Sequence, residues 1–260
     1  MKLSNQTVLI TGGTSGFGLE FATRLIALGN TVLITGRDSA KLEQVRQRLP
    51  GVHTFQSDVS DPEAIIRLCG QVTARFPELN ILINNAGEMR RISLNDPSNT
   101  VYDITREIDI NLCGPIRMVQ QLLPHLKTRE TAAILNVTSG LALTPFPLSP
   151  VYGATKAGLR SYTKSLRAQL EHTRVKVFEL VAPGSNTPLN DKFTREMTGG
   201  GSRMMDPGKL IDVAIRGLQQ DKLEIYPGIA RMLRVMSRLA PGFLLGQMSK
   251  VGKTFYSSPS

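Results

Sequence analysis

Short apolar runs rich in β-branched residues alternate with longer helical patterns along most of this chain. The strand-like runs lie at 7–11, 31–35, 52–57, 81–83, 132–138, 175–181 and 223–226. Apolar residues recur at helical spacing near 16–29, 38–48, 61–75, 99–127, 150–171 and 206–220. This alternation predicts βαβ units and a doubly wound α/β fold, because a parallel sheet needs helices on both faces. Since no linker interrupts it, we expect one domain over residues 1–260.

Composition and charge narrow the class of protein. Hydrophobic residues make up 41% of the chain and charged residues 20%, which is typical of a soluble protein without a membrane-spanning run. No secretory signal is visible, and two unpaired cysteines, Cys69 and Cys113, favour a cytoplasmic location. The three histidines lack ligand-like spacing, so we expect no metal site. The net charge of +10 comes without a nucleic-acid-binding motif, so we expect no nucleic-acid partner.

The stretch TGGTSGFG, at 11–18, lies between the first predicted strand and the first predicted helix. In a doubly wound sheet this turn lies where ligands bind. Its glycines allow a tight turn and close approach to a pyrophosphate, which the helix N-terminus also favours. A purely structural turn is the alternative, and the spacing is T-G-x-x-x-G-x-G rather than G-x-G-x-x-G. We expect cofactor contacts from Gly12, Thr14, Ser15, Gly16, Phe17 and Gly18.

Polar residues follow three further strands. Arg37 ends the second strand, no acidic residue occupies 35–37, and an arginine there suits the 2′-phosphate of NADP(H) better than NAD(H). Asp58 and Val59 follow the third strand, where the Asp58 carboxylate could accept a hydrogen bond from the adenine amino group. The alternative is that Asp58 caps the N-terminus of the next helix. The sequence NNAG after the fourth strand is either a plain turn or a passage over the cofactor by Asn85, Ala86 and Gly87.

Tyr152 and Lys156 stand four residues apart at the start of a predicted helix that Ser149 caps. One helix face therefore carries both side chains. An ammonium beside a phenol favours the phenolate, so we expect a lowered pKa for Tyr152, as a general acid or base requires. Ser139, at the end of the fifth strand, is placed to donate to a substrate oxygen. The alternatives are a solvated helix pair and a loop serine.

Asn111 lies inside the helical pattern 99–127, four residues before Pro115. Proline has no N–H, so the carbonyl of Asn111 loses its helical partner. We therefore expect an irregular turn at Asn111, with Asn111 facing Lys156 and a free carbonyl able to hold a relay water.

These motifs in this order resemble the short-chain dehydrogenase/reductase family over about residues 5–227. The resemblance implies a Rossmann-type, seven-stranded parallel sheet and a catalytic tetrad of Asn111, Ser139, Tyr152 and Lys156, with Tyr152 and Lys156 also contacting the cofactor. It implies cofactor contacts from Pro183, Gly184 and Thr187, although Thr187 comes one residue earlier than the family spacing P-G-x-x-x-T. It also implies a homodimer or homotetramer through the helices at 99–127 and 150–171. The N-terminal half and the tail RLAPGF resemble a bacterial branch named after the D-alanyl–lipoteichoic acid operon.

The variable loops 88–96, 140–150 and 186–206 are expected to select the substrate. Their apolar residues predict a partly apolar pocket lined by Met89, Leu141, Leu143, Phe146, Leu148 and Phe193. Arg90 and Arg91 are expected to be solvated rather than to bind an anion. The glycines 199–201 predict a mobile lid within 186–206.

The basic tail 228–260 contains an amphipathic helical pattern at 229–239. Packing of this helix over the pocket or against a neighbouring subunit is favoured over peripheral contact with a membrane.

Together these features predict an NADP(H)-dependent oxidoreductase that interconverts a small-molecule carbonyl and a secondary alcohol. The alternative is a non-catalytic NADP(H)-binding sensor or interaction module on the same fold.

Overall fold

A computed structural model of the chain describes residues 1–193 and 204–257. Seven parallel strands form one sheet in the order β3-β2-β1-β4-β5-β6-β7. The strands are β1 Thr7–Ile10, β2 Thr31–Gly36, β3 His53–Gln56, β4 Leu79–Asn84, β5 Ala132–Ser139, β6 Val175–Ala182 and β7 Glu224–Ile225. The order reverses between β1 and β4, and such a reversal opens a crevice at the carboxyl ends of the strands.

Helices cover both faces of the sheet, as the alternation predicts. Helices α1 (Gly16–Ala27), α2 (Ser39–Arg48) and α8 (Pro207–Gln219) pack on one face. Helices α3 (Pro62–Arg75), α6 (Gly114–Lys127) and α7 (Pro150–Gln169) pack on the other. Neighbouring strand residues alternate between the two apolar layers; in β1, for example, Val8 faces the first layer and Leu9 the second. Both side-chain faces of the sheet are therefore buried.

The helix predicted at 99–127 is interrupted. It consists of α4 (Val101–Ile104), α5 (Arg106–Ile108), a π-helical turn (Asp109–Cys113) and α6. The turn contains Asn111 and ends just before Pro115, whose missing N–H prevents an ordinary helical hydrogen bond. The predicted irregularity at Asn111 is therefore confirmed, and a single continuous helix is wrong.

Between the last strand and residue 257, the structure has three helices: α9 (Ala230–Leu239), α10 (Pro241–Met248) and α11 (Lys253–Ser257). Ala230 is buried, and Leu233 lies against Gly140, so one side of α9 packs on the protein. Within residues 1–193 and 204–257, no helix has both the length and the apolar character needed to cross a bilayer.

Candidate functional site

A cavity of ≈ 970 Å³ lies at the carboxyl ends of the strands. One end, which we call the glycine end, is lined by Gly12, Thr14, Ser15, Gly16, Phe17, Arg37, Asp58 and Val59. The other, which we call the methionine end, is lined by Met89, Leu141, Leu189, Met204, Met205, Ile229, Leu233 and Met248. Ser139, Tyr152 and Lys156 also line this cavity. The crevice predicted from the strand order therefore brings the separate sequence motifs together.

Main-chain atoms pack tightly around the glycine turn. A Cβ on Gly12, whose φ is +68°, would lie 2.8 Å from Cα of Ala86, in the segment after β4. A Cβ on Gly18 would lie 2.1 Å from the carbonyl oxygen of Gly12. The side chain of Asn85 donates to the carbonyls of Thr11 and Gly12, at 3.0 Å each. Only glycine fits these positions, and the Asn85 carboxamide holds the turn in place.

The N-terminus of α1 faces the cavity with its polar groups available. Ser15 is its exposed cap residue, and its hydroxyl makes no capping hydrogen bond. The first turn carries no acidic residue. Free N–H groups and a positive dipole end suit a phosphate, so the glycine end fits the pyrophosphate of a dinucleotide.

Arg37 and Asp58 lie together at the edge of the glycine end. The Arg37 side chain is 56% exposed, and its Nη1 is 3.9 Å from a carboxylate oxygen of Asp58. The other oxygen of Asp58 accepts from the N–H and hydroxyl of Ser60, whereas Asp61 caps α3. The alternative reading of Asp58 as the cap of α3 is therefore wrong.

Tyr152, Lys156 and Ser139 are all at least nine-tenths buried around the middle of the cavity. Burial raises the pKa of Tyr152 to about 12, and the Ser139 hydroxyl, hydrogen-bonded to the phenol, opposes the rise. Burial lowers the pKa of Lys156 to about 8. The expected lowering of the Tyr152 pKa is wrong here, because the Lys156 ammonium is 5.7 Å from the ring centre and donates to the carbonyl of Val137 at 3.0 Å. Desolvation of the phenolate outweighs the ammonium at that distance.

The helix that carries Tyr152 begins as predicted, although Ser149 does not cap it with its side chain. Its hydroxyl donates instead to the carbonyl of Arg90 at 2.7 Å, and Pro150 occupies the first turn. This bond ties the start of α7 to the segment after β4.

Asn111 is fully buried and connects two segments of the site. Its carboxamide oxygen accepts from the N–H of Glu88, and its nitrogen donates to the carbonyl of Glu88, both at 2.8 Å. The same nitrogen donates to Thr155 at 3.2 Å. A Cβ on Gly87 would lie 3.2 Å from the Asn111 oxygen and 3.7 Å from the Lys156 nitrogen. The Asn111 oxygen and the Lys156 nitrogen therefore both lie near Gly87, an arrangement that fits the expectation that Asn111 faces Lys156.

The segment after β6 passes close to the glycine turn. Pro183, Gly184 and Thr187 line the cavity. Thr187 is buried, and a Cβ added to Gly16 would lie 3.6 Å from the Thr187 side chain. The early position of Thr187 in the sequence therefore does not remove it from the cavity. The glycines 199–201 of the predicted lid lie outside the described residues.

An ionic cluster beside Tyr152 was not predicted from the sequence. Glu107 is fully buried and accepts from the N–H of Arg90 at 2.9 Å. The Arg90 guanidinium binds Asp103 at 2.7 Å and lies 3.8 Å from Glu107. Burial raises the pKa of Glu107 to about 7. Arg90 is thus held in this cluster, and its expected solvation is wrong. Arg91 is exposed, as expected, and its guanidinium stacks on Phe255 at 4.4 Å.

Two of the six residues predicted to line the apolar pocket do so. Met89 and Leu141 line the cavity, but Phe146, Leu148 and Phe193 are buried behind its wall. Leu143 packs in a separate cluster with buried residues Val181, Tyr226 and Ala230. The wall is completed by Leu189, Met204, Met205, Ile229, Leu233 and Met248. These residues come from distant segments, and no local signal marks them as neighbours.

The profile of the short chain dehydrogenase family matches residues 6–198. The chain is 39% identical to the oxidoreductase DltE of Bacillus subtilis, over 96% of this chain and 98% of that protein. It is similar to the 3-ketoacyl-(acyl-carrier-protein) reductase of Brucella melitensis, crystallised with NADH. That similarity has 29% identity, a TM-score of 0.74, and coverage of 83% and 91% of the two chains. A short chain dehydrogenase from Burkholderia cenocepacia, crystallised with NADP, shares the fold at 22% identity, with a TM-score of 0.82 and coverage of 95% and 99%.

The chain therefore belongs to the short-chain dehydrogenase family, a family of oxidoreductases. The match to DltE also confirms the predicted bacterial branch.

Proposed function

We propose that this protein is an NADP(H)-dependent oxidoreductase that interconverts a carbonyl compound and a secondary alcohol. The observation that carries the proposal is the burial of Tyr152, Ser139 and Lys156 in the same cavity as the glycine turn. The glycine end fits a nicotinamide dinucleotide, because its glycines leave room for a pyrophosphate that the N-terminus of α1 attracts. Such a cofactor, when bound, supplies or accepts the hydride.

The side chains of the cavity hold and position the proton. A buried phenol whose pKa is about 12 stays protonated at neutral pH, so Tyr152 is a proton donor to a carbonyl oxygen. Ser139 hydrogen-bonds to this phenol and steadies the same oxygen. Lys156 orients the cofactor ribose. The Asn111 carboxamide fixes Glu88 beside α7. The main-chain carbonyl of Asn111, four residues before Pro115, is the group proposed to hold the relay water.

NADP(H) is proposed over NAD(H) because Arg37 offers an exposed guanidinium at the edge of the glycine end. A guanidinium matches the geometry and charge of a 2′-phosphate. Asp58 and Val59 line the adenine side of the cavity, while Asn85, Ala86 and Gly87, together with Pro183, Gly184 and Thr187, line its further wall.

Tyr152→Phe tests the proposal in an assay that follows NADPH absorbance over a panel of carbonyl compounds, with NADH in parallel. We expect turnover to fall by roughly 10²–10⁴-fold, the usual contribution of a general acid, while NADPH affinity is retained. NADPH is expected to support faster turnover than NADH. Tyr162→Phe, on the same helix but outside the cavity lining, is the matched control and should keep full activity.

Two results would contradict the proposal. Turnover by Tyr152→Phe at nearly the rate of the unchanged protein removes Tyr152 from the chemistry. NADPH binding without turnover of any carbonyl or alcohol favours the alternative, a non-catalytic sensor or interaction module on this fold.

We also propose a cytoplasmic homodimer or homotetramer. Cys69 and Cys113 are both free thiols, as is usual for cysteines of proteins in a reducing compartment. Val101 and Tyr102, at the start of the helical region proposed as the interface, are 74% and 89% exposed, so apolar surface is available there.

A further inference from the structure

Helix α9 exposes an apolar stripe, and two of its residues, Val235 and Leu239, also line a groove between this helix, α8 and β7. Ala230 and Leu233 face inward. Met232, Val235 and Leu239 are 53%, 52% and 77% exposed. Spacings of three and four residues place these three side chains on one side of the helix. An exposed apolar stripe of this kind marks an interaction surface rather than a scatter of surface residues.

A second stripe of α9 is basic. Arg231, Arg234 and Arg238 share the same spacing and line a groove between α8, β7 and α9. Arg216 and Lys222 line the same groove. The residues known to line it include one carboxylate, Glu224, which already lies within 3.7–3.8 Å of Arg160, Arg167 and Arg234.

The segment that follows α9 also has exposed apolar residues and basic residues. Helix α10 exposes Phe243 and Leu245 by 59% and 41%. Residues 228–253 include the basic side chains Lys250 and Lys253 and contain no acidic residue at all. The surface of α9 and α10, which we call the tail face, is therefore apolar on both helices, and its positive charge comes from the arginines of α9 and from Lys250, just after α10.

Charge decides which partner this face suits. A two-fold contact between two copies would bring two positive surfaces together, because the carboxylate in the groove, Glu224, is already paired with arginines of its own copy. A nucleic acid would match the charge, but it offers no apolar surface to Met232, Val235 and Leu239. An anionic bilayer offers headgroup phosphates to the arginines and an acyl boundary to the apolar stripe, which is the arrangement of interfacial helices.

We propose that the tail face docks on the surface of an anionic lipid membrane. Met232, Val235 and Leu239 enter the boundary between headgroups and acyl chains, and Arg238 lies against lipid phosphates. Ile229 and Leu233 of the same segment line the cavity, so docking holds the methionine end at the membrane surface.

Co-sedimentation tests the proposal with the full-length protein and two kinds of vesicle, phosphatidylcholine alone and an equimolar mixture with phosphatidylglycerol. We expect sedimentation with the anionic vesicles at low salt, and weaker binding as salt is added. The double variant Val235→Ser/Leu239→Ser should lower the partition coefficient by roughly tenfold or more. Arg238→Gln should lower it by about fivefold.

Two matched controls and one companion measurement keep the test specific. Ile66→Ser removes an apolar side chain of α3 that is 45% exposed, and Arg48→Gln removes an exposed arginine at the end of α2; both variants should partition like the unchanged protein. Light scattering and circular dichroism check that the variants keep their mass and fold. The proposal is overturned if the unchanged protein stays in the supernatant, if Val235→Ser/Leu239→Ser sediments equally well, or if that variant alters only the oligomeric state.

Discussion

The glycine end and the methionine end of the cavity differ in the kind of atoms that form their walls. At the glycine end, main-chain atoms form the wall: a Cβ on Gly18 would lie 2.1 Å from a backbone oxygen. At the methionine end, the wall consists of side chains such as Met89, Leu233 and Met248. A main-chain wall has one shape, whereas methionine side chains adapt to several.

This difference assigns separate tasks to the two ends. A rigid main-chain cradle suits a partner whose shape never changes, such as a pyrophosphate. An adaptable apolar wall suits a range of apolar groups, with selectivity set by which side chains are present. Substitutions at the glycine end should therefore act on the cofactor, and substitutions at the methionine end on the substrate.

The largest effect is expected from Gly18→Ala. The new Cβ would lie 2.1 Å from the Gly12 oxygen and 2.6 Å from the Asn85 nitrogen, so the turn has to move. We expect NADPH affinity to fall by roughly 100-fold and stability by about 1–3 kcal/mol, the usual cost of overpacking. Fluorescence titration with NADPH and urea unfolding measure the two effects.

Gly70→Ala is the matched control for Gly18→Ala. Gly70 lies in α3, and a Cβ there meets no atom within 4 Å. Alanine should stabilise this helix by about 0.5–1 kcal/mol and leave NADPH affinity unchanged. Equal NADPH affinity in Gly18→Ala and Gly70→Ala would show that the main-chain cradle does not hold the cofactor.

The same difference explains what the sequence could and could not predict. The strands, the glycine turn and the irregular turn at Asn111 were predictable because each follows from residues that are neighbours in the chain. The wall of the methionine end was not, since Met89, Leu189 and Met248 meet only after folding. The prediction that Arg90 is solvated was wrong for a similar reason, because its buried partner, Glu107, lies 17 residues further along the chain. The predicted lowering of the Tyr152 pKa was wrong because burial, which cannot be read from the sequence, outweighs the Lys156 charge.

A pH-dependent effect is expected at the segment after β4, which Glu107 holds through the N–H of Arg90. Burial raises the pKa of Glu107 from 4.5 to about 7, so the folded state binds a proton more tightly than the unfolded chain. Its contribution to stability is therefore full below about pH 4.5, declines as pH rises, and is lost above about pH 7. Glu107→Gln cannot ionise, so its free energy of unfolding should not fall in this way. Between pH 5 and pH 8, the free energy of unfolding of the unchanged protein should fall by on the order of 2 kcal/mol more than that of Glu107→Gln.

Urea unfolding at several pH values measures this difference. Asp103→Asn, which alters the half-exposed partner of Arg90, is the control and should shift stability by less than about 1 kcal/mol, without the same pH dependence. Parallel stability curves for the unchanged protein and Glu107→Gln would show that Glu107 is not held as the structure indicates.

The smallest effect is expected from Leu233→Ala at the methionine end. Leu233 is half-buried and lies 3.1 Å from the position of a Cβ on Gly140, so its loss widens the wall that neighbouring methionines can partly refill. We expect KM for carbonyl substrates with apolar chains to change by roughly two- to fivefold, with the dissociation constant for NADPH unchanged. Leu245→Ala, which lies on α10 outside the cavity, should alter neither quantity. Should Leu233→Ala weaken NADPH binding as much as it changes KM, the cavity does not divide into two independent ends.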